Sequence, residues 1–189
     1  MSKIGLMFGT YNPIHIGHTL IAKWIVENSD LDEVWLVVSP LSPYKQGVTL
    51  VPTEIRIEMA KIAIGNATNI SVCDAELFLP KPSYTINTID FLRKRDPNCE
   101  FSIILGSDNI DGIVGWREAG RLLNENRVLV YPRKGYKASL QHPNIQYLNA
   151  PEVEISSTEI RQMVSRGIDP RFFVSDGVAD FIIKEHLYS

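Results

Sequence analysis

Two histidines three residues apart are the strongest chemical signal in the chain. His15 and His18 follow an apolar, strand-like run, and the residues after them repeat apolar side chains at helical spacing. At this spacing both imidazoles lie on one face of the first helical turn, where backbone N–H groups have no partners within the helix. These N–H groups and the positive end of the helix dipole attract phosphate oxygens. The pattern therefore predicts a nucleotide-phosphate site, at which Gly17 lets the ligand approach the backbone.

The residues just before the histidines add to this site. Gly9 provides a turn after the strand, and Thr10 and Asn12 carry short polar side chains that can cap the helix or touch the ligand. A zinc site is the alternative, because paired histidines also ligate metals. It is the weaker interpretation, since the HExxH spacing is absent and four His and two Cys leave few further ligands.

A second helix start, near the end of the chain, predicts another group of phosphate-binding donors. Ser156 and Glu159 fit a capping box. Ser157 and Arg161 are four residues apart, so a hydroxyl and a guanidinium share one face beside the exposed N–H groups. An ordinary capped surface helix with a solvated arginine is the alternative. In a chain that also carries the histidine pair, the pattern favours a second phosphate-binding helix start.

The elements that must position these residues alternate between strands and helices. Strand-like runs occupy residues 3–8, 33–39, 70–74, 100–106 and 127–131, with a weaker run at 145–148. Their continuous apolar character suits strands buried on both faces. We therefore expect an α/β fold, a doubly wound, Rossmann-like parallel sheet with helices on both faces and a small C-terminal helical segment. Ligands of such sheets bind at the carboxyl ends of the strands.

Length and composition limit the class of protein. The chain has 189 residues, 44% of them hydrophobic, and a formal net charge of −3. We expect one domain over residues 1–189, with a core to about residue 150 and a helical subregion from about 151. A net charge of −3 does not favour binding to nucleic acid. No stretch of the sequence has the pattern of a signal peptide or of a membrane-spanning segment. Cys73 and Cys99 are too few for a disulfide framework, so we expect a cytoplasmic protein; a homo-oligomer is compatible with the composition.

Missing motifs narrow the chemistry. GxGxxG and GxxxxGK[ST] are both absent, and no Ser-His-Asp or Cys-His setting indicates a covalent intermediate. Attack of a phosphate monoester on the α-phosphorus of a nucleoside triphosphate needs no protein nucleophile, because the monoester is largely ionised at neutral pH. The protein must hold two polyanions in line and neutralise charge as pyrophosphate leaves. This charge would be neutralised by the helix starts, the histidines, Lys45, Arg161 and magnesium carried by the triphosphate.

Five ordered segments make the chain recognisable. They are TYNPIHIGH at 10–18, SPYK at 42–45, SYTINT at 83–88, GSDN at 106–109 followed by Trp116, and ISSTEIR at 155–161. Together they resemble the nucleotidyltransferase superfamily that carries HxGH and ISSTxIR motifs, and within it the bacterial nicotinate-nucleotide adenylyltransferases. The closing residues 181–188 also resemble the usual C-terminal helix of this family.

The resemblance implies an activity and a set of site residues. The activity is transfer of the adenylyl group of ATP to nicotinate mononucleotide, which gives deamido-NAD and pyrophosphate in NAD biosynthesis, with magnesium as cofactor. The implied catalytic residues are His15, His18 and Arg161, with His18 the strongest candidate. The implied ATP contacts are Gly9, Thr10, Gly17, Gly106, Asp108, Ser156, Ser157 and Thr158. The implied contacts to nicotinate mononucleotide are Asn12, Lys45, Thr85, Trp116 and, as a cation for the carboxylate, Arg117.

The sequence departs from the family pattern at three positions. Phe8 stands where a glycine is common, Asn12 where Asp is frequent, and Tyr44 where His often precedes the lysine. Both histidines and the backbone donors remain, so the phosphate site is retained. The role of Arg133 stays open at this stage. His142 and His186 have no motif around them and are interpreted as structural or surface residues.

Two kinds of alternative function stay open. An adenylyltransferase of the same superfamily could act on nicotinamide mononucleotide or on phosphopantetheine. The phosphopantetheine enzyme is expected to carry Lys in place of Arg161 and to lack the Trp116 segment. A non-enzymatic nucleotide sensor is the alternative of another class, and the intact histidine pair argues against it.

Overall fold

The computed structural model describes residues 1–40 and 50–189. Within them the strands are β1 (Ser2–Gly9), β2 (Glu33–Val38), β3 (Ile70–Cys73), β4 (Cys99–Gly106), β5 (Val128–Tyr131) and β6 (Ile145–Tyr147). The α-helices are α1 (Ile16–Asn28), α2 (Thr53–Ile64), α3 (Thr85–Arg95), α4 (Ser107–Ile110), α5 (Ala119–Glu125), α6 (Ser157–Ser165) and α7 (Asp176–Lys184). Two short 3-10 helices cover Ala75–Phe78 and Asp111–Gly115.

The strands form one parallel sheet in the order β3-β2-β1-β4-β5-β6. The chain starts in the middle of the sheet, builds outwards through β2 and β3, and then crosses to the other side of β1 to add β4, β5 and β6. The direction of winding therefore changes between β1 and β4, and ligands of open α/β sheets bind at the carboxyl ends of the strands flanking such a point. The predicted doubly wound sheet is confirmed, and the ends of all six predicted strands agree to within one residue.

Helices cover both faces of the sheet, which explains the continuous apolar runs. Ile4 and Leu6 of β1 belong to the apolar cluster that includes α3 and α5, whereas Met7 belongs to the cluster that includes α1, α2, α6 and α7. The C-terminal helices thus share a core with the sheet. Gly177 of α7 lies so close to α2 that a Cβ there would be 2.8 Å from Cγ2 of Ile62.

None of the helices in the described part of the chain combines the length and the apolar character that crossing a membrane requires.

Candidate active site

A cavity of about 600 Å³ opens at the carboxyl ends of β1 and β4, where the winding direction changes. It brings together most of the predicted site residues, which reach it from five separate stretches of chain. Those that line it are Gly9, Thr10, Asn12, His15, His18, Thr85, Gly106, Asp108, Trp116, Arg117, Ser156, Ser157, Thr158 and Arg161. Gly17 does not line it, and Lys45 lies outside the described residues.

The two histidines stack on each other at the start of α1. Their ring centroids are 3.7 Å apart, and the ring planes are inclined by 28°. His15 is the N-cap residue, and its backbone N–H donates to Nδ1 of His18 over 3.2 Å. Because Nδ1 of His18 is thereby an acceptor, neutral His18 carries its proton on Nε2. The backbone thus fixes the tautomer of His18 and makes Nε2 a hydrogen-bond donor.

His15 is held in its neutral form. Its side chain is 5% exposed, and burial lowers its pKa from the ordinary value of 6.5 to about 4. The positive charge of Arg133 lowers the pKa further, whereas Glu159 opposes the shift. Nδ1 of His15 is buried and has no hydrogen-bond partner among the described residues. At neutral pH this residue therefore offers a ligand hydrogen bonding without a charge of its own.

Close packing around its Cα gives position 17 a reason of its own for glycine. A Cβ on Gly17 would lie 3.0 Å from Nδ1 of His15 and 3.1 Å from Cγ1 of Val153. Gly17 borders a smaller cavity behind the histidines and not the main one. That Gly17 admits the ligand to the backbone stays a prediction, and the structure adds that the space beside its Cα is taken by the imidazole of His15 and by the segment before α6.

Of the two roles predicted for Thr10 and Asn12, helix capping is wrong, because His15 itself occupies the N-cap. Contact with the ligand stays a prediction, and both residues line the cavity. The Asn12 side chain is 1% exposed, and its Oδ1 accepts hydrogen bonds from the Val51 N–H at 3.3 Å and the Tyr188 hydroxyl at 2.9 Å. Its amide Nδ2 is buried without a hydrogen-bond partner among the described residues. Asn12 therefore joins three parts of the chain at the edge of the cavity.

The second helix start meets the first directly. Ser156 caps α6 in the predicted capping box, with its Oγ accepting from the Glu159 N–H at 3.2 Å. The Ser157 hydroxyl donates to the carbonyl of Pro13 at 2.8 Å, and a guanidinium N–H of Arg161 donates to the carbonyl of Asn12 at 2.8 Å. The prediction that Ser157 and Arg161 share one face is confirmed, and that face lies against the loop that leads into α1.

The segment after β4 adds a carboxylate and a cation. Asp108 lies on α4 with Oδ1 3.7 Å from Nε of Arg133, which follows β5. Glycine at position 106 leaves room for both side chains, because a Cβ there would displace the carboxylate of Asp108 and approach Cγ of Arg133 to 3.1 Å. Sequence analysis left the role of Arg133 open. The structure places it in the cavity wall, where its charge acts on His15.

The far end of the cavity combines an aromatic wall with positive potential. Trp116 and Arg117 line it, and the guanidinium of Arg117 lies 4.9 Å from the ring centroid of Tyr84. Tyr84 is the N-cap of α3, makes no side-chain capping bond, and is followed by Thr85 with no acidic residue in the first turn. The N–H groups at the start of α3 are therefore available to an anion.

Two buried charged residues near the site were not predicted from the sequence. Arg56 is 1% exposed and donates to the carbonyls of Ser39, Pro40, Val51 and Thr10, which ties the end of β2 and the start of α2 to the loop after β1. The signal for it was an arginine on the apolar face of α2, three residues before Met59 and four before Ala60. Glu76 is 2% exposed and lines the cavity. Nothing in its sequence neighbourhood marks it.

The described residues include no group of three or more His, Cys, Asp and Glu side chains suited to a metal ion. The zinc interpretation also needs both imidazoles to point at one ion, whereas the rings stack face to face and Nδ1 of His18 accepts from the backbone. The pair is arranged to offer hydrogen bonds to a ligand.

Comparison with known proteins identifies the family of the chain. Residues 6–163 match the family model described as cytidylyltransferase-like. A Bacteroides fragilis protein named "Probable nicotinate-nucleotide adenylyltransferase" is 40% identical over 186 residues, which cover 97% of this chain and 92% of the relative. A Cytophaga hutchinsonii protein of the same name is 39% identical over 189 residues, with 99% and 98% covered.

A solved structure shares the fold. It is the Plasmodium falciparum nicotinic acid mononucleotide adenylyltransferase complexed with NaAD, which superposes with a TM-score of 0.82 at 24% identity and covers 100% of this chain and 98% of its own. With the family model spanning most of the chain and relatives of this identity spanning nearly all of it, the chain belongs to the cytidylyltransferase-like family and, within it, to the nicotinate-nucleotide adenylyltransferases.

Proposed function

We propose that this protein transfers the adenylyl group of ATP to nicotinate mononucleotide, forming deamido-NAD and pyrophosphate in NAD biosynthesis. The observation that carries the proposal is the direct contact between two helix starts. Arg161 of α6 binds the carbonyl of Asn12, three residues before the histidine pair of α1, so cation, imidazoles and helix N–H groups surround one end of the cavity. The relatives bear the name of this activity.

To catalyse this reaction, the protein must position the two substrates and neutralise their negative charge. A phosphate oxygen of the mononucleotide attacks the α-phosphorus of ATP, a new P–O bond forms, and the bond between the α-phosphorus and the bridging oxygen to the β-phosphate breaks. That oxygen takes the electron pair and leaves with pyrophosphate. No general base is required, because the attacking monoester is already largely ionised at neutral pH. Holding both polyanions in line supplies the rate enhancement.

His18 is placed to act where charge accumulates. Its Nε2 proton is assigned by the bond that Nδ1 accepts from the backbone, so no rearrangement is needed before it donates to a phosphate oxygen. Neutral His15 stacks on it, and Arg161 contributes the positive charge from the other helix.

We propose that magnesium enters as part of the substrate, MgATP. The carboxylates that line the described cavity are Glu76 and Asp108, of which Asp108 pairs with Arg133, so the phosphates supply most of the ligands. When bound, the ion neutralises part of the triphosphate charge and polarises the reacting phosphoryl group.

The far end of the cavity favours nicotinate over nicotinamide. The start of α3 and the guanidinium of Arg117 both attract a carboxylate, whereas an amide would leave these donors poorly matched. Trp116 supplies an aromatic face for the pyridine ring.

The test is a substrate panel with purified protein and MgATP. We expect pyrophosphate release and a product of the mass of deamido-NAD with nicotinate mononucleotide, and clearly lower kcat/KM with nicotinamide mononucleotide and phosphopantetheine. Equal turnover of the two mononucleotides would contradict the specificity. Tight ATP binding without any pyrophosphate release would favour the nucleotide-sensor alternative.

A further inference from the structure

Glu76 is a buried carboxyl group in the cavity wall, and one of its two oxygens has no hydrogen-bond partner among the described residues. It lies in the 3-10 helix Ala75–Phe78 and is 2% exposed. Its Oε1 accepts from the Thr88 hydroxyl at 2.9 Å, whereas Oε2 is buried and has no hydrogen-bond partner within residues 1–40 and 50–189. Burying such a group without a partner is costly, so its retention in a ligand cavity calls for an explanation.

The position of Glu76 is fixed relative to the far end of the cavity. Thr88 lies on α3 one turn after Thr85, so the carboxyl group sits beside the first turn of that helix. Arg117 lies at the start of the same helix, since its guanidinium stacks on the ring of Tyr84, the N-cap residue. The Ser83 hydroxyl is likewise buried, lines the cavity, and lacks a hydrogen-bond partner in the described part of the chain.

Glu76 differs from the other carboxylate in the described cavity wall, because no described cation is paired with it. The described lining residues include two carboxylates, and Asp108 is paired with Arg133 at the other side of the cavity. Glu76 has hydroxyl neighbours and no cation bound to it among the described hydrogen bonds and ion pairs. Burial raises its pKa, and the nearby hydroxyls of Thr88, Ser39 and Ser83 oppose that rise.

The proposed substrate carries the charge that this carboxylate lacks. The base of nicotinate mononucleotide is a zwitterion, with a negative carboxylate and a quaternary, positively charged ring nitrogen. The carboxylate matches Arg117 and the start of α3, and the indole of Trp116 offers its face to the ring. Glu76 is the lining carboxylate, among the described residues, that has no paired cation and can face the ring charge. Two opposite charges in a site of low effective dielectric attract each other far more strongly than in water.

We propose that Glu76 is a specificity-determining residue whose carboxylate faces the pyridinium ring of the mononucleotide and selects its positive charge. This inference rests on the proposed function, and Thr88 acts in it as a positioning residue. Its consequence is a preference for the oxidised, cationic ring over the 1,4-dihydro ring, which has the same carboxylate, ribose and phosphate but no ring charge.

The test compares these two ring forms in equilibrium binding and in turnover. In the wild-type protein we expect nicotinate mononucleotide to bind more tightly than its 1,4-dihydro form by calorimetry. Glu76→Gln keeps the shape of the side chain and an oxygen that can accept from Thr88. We expect it to weaken binding and kcat/KM of the cationic form by about tenfold and to leave the dihydro form nearly unchanged. Glu58→Gln removes the same charge from an exposed position on α2 and should alter neither ring form.

The outcomes are distinguishable. Equal losses for both ring forms in Glu76→Gln would mean that Glu76 accepts from a ribose hydroxyl or only supports α3, and would overturn the inference while the proposed function stands. An unchanged variant would overturn it as well. If neither ring form bound to the wild-type protein, the proposed function would fail and the inference with it. Circular dichroism and ATP affinity check that the variant is folded.

Discussion

At the scale of single residues, the backbone bond to Nδ1 of His18 is the feature with the most direct chemical consequence, because it makes Nε2 the N–H donor of the neutral ring. Replacing His18 by Ala removes that donor from the transition state and leaves the helix start in place. We expect kcat to fall by roughly a hundredfold or more, the scale of losing one preorganised donor. Single-turnover measurement of pyrophosphate release is the check, with exposed His186→Ala as control. A rate within a few-fold of wild type would remove His18 from the mechanism.

The depressed pKa of His15 couples stability to pH. The folded state holds this group neutral to about pH 4, whereas the unfolded chain protonates it near 6.5. The unfolded state therefore binds more protons between these values, and the contribution of His15 is complete above pH 6.5 and is lost as the pH falls towards 4. The loss amounts to about 2 kcal/mol at pH 5.

Urea unfolding at pH 8 and pH 5 measures this coupling. The decrease in unfolding free energy between the two pH values should be smaller in His15→Gln than in the wild type by about 2 kcal/mol, because glutamine does not titrate. Identical decreases in the two proteins would show that His15 is not held neutral by the fold.

Residue-scale predictability follows how local each interaction is. The histidine pair and the capping box of α6 depend on spacings of three residues and were readable from the sequence. Arg56 and Glu76 were not, because their partners lie elsewhere in the chain, at Thr10 and Ser39 for the arginine and at Thr88 for the glutamate. The tight packing around Gly17 was not predictable for the same reason, since Val153 is far from it in sequence.

At the scale of elements, the start of α1 has to fit against both an imidazole and the segment before α6. Gly17→Ala places a methyl group about 3 Å from Nδ1 of His15 and from Val153, so the imidazole has to move. We expect a loss of about 1–3 kcal/mol in unfolding free energy, as in other overpacked sites, together with a lower kcat. Gly120→Ala on α5 is the matched control, because a Cβ there meets nothing within 4 Å and alanine favours the helix.

Chemical denaturation and steady-state kinetics of both glycine variants decide this point. If Gly17→Ala were as stable and as active as the wild type, the tight packing of the histidines would contribute nothing to the unfolding free energy or to kcat. If Gly120→Ala lost as much as Gly17→Ala, the effect would come from alanine in general and not from the position.

The strands were predictable because parallel strands covered on both faces have to be apolar throughout, and 101–105 and 34–38 are nearly so. The short helices were harder. The four residues of α4 form one turn, too short to show a hydrophobic period, and they follow β4 directly. The N-cap of α5, Glu118, has a positive φ of 54°, which no local signal indicates.

At the scale of the whole molecule, the site is assembled from the two ends of the chain. Tyr188 donates to Oδ1 of Asn12 at 2.9 Å, a contact that spans 176 residues. Tyr188→Phe removes the hydroxyl and keeps the ring, so we expect the unfolding free energy to fall by about 1 kcal/mol. ATP affinity should fall as well, since Arg161 binds the backbone of the same asparagine.

Thermal unfolding with and without ATP measures both effects at once, because a ligand that binds only the folded state adds stability according to its affinity. Tyr136→Phe is the control, with a side chain that is 60% exposed. A Tyr188→Phe protein with the ATP response of the wild type would show that the end of the chain does not support the nucleotide site.

The long reach from Asn12 to Arg161 and Tyr188 also governs when the enzyme becomes competent during its own synthesis. The six strands all precede Arg161, so a nascent chain can complete its sheet while the last helices are still being made. The loop around Asn12 gains its contacts to Arg161 and Tyr188 only after those last helices have been made. A nascent chain that stops before Arg161 therefore lacks both contacts, and we expect it to bind ATP more weakly than the folded protein does.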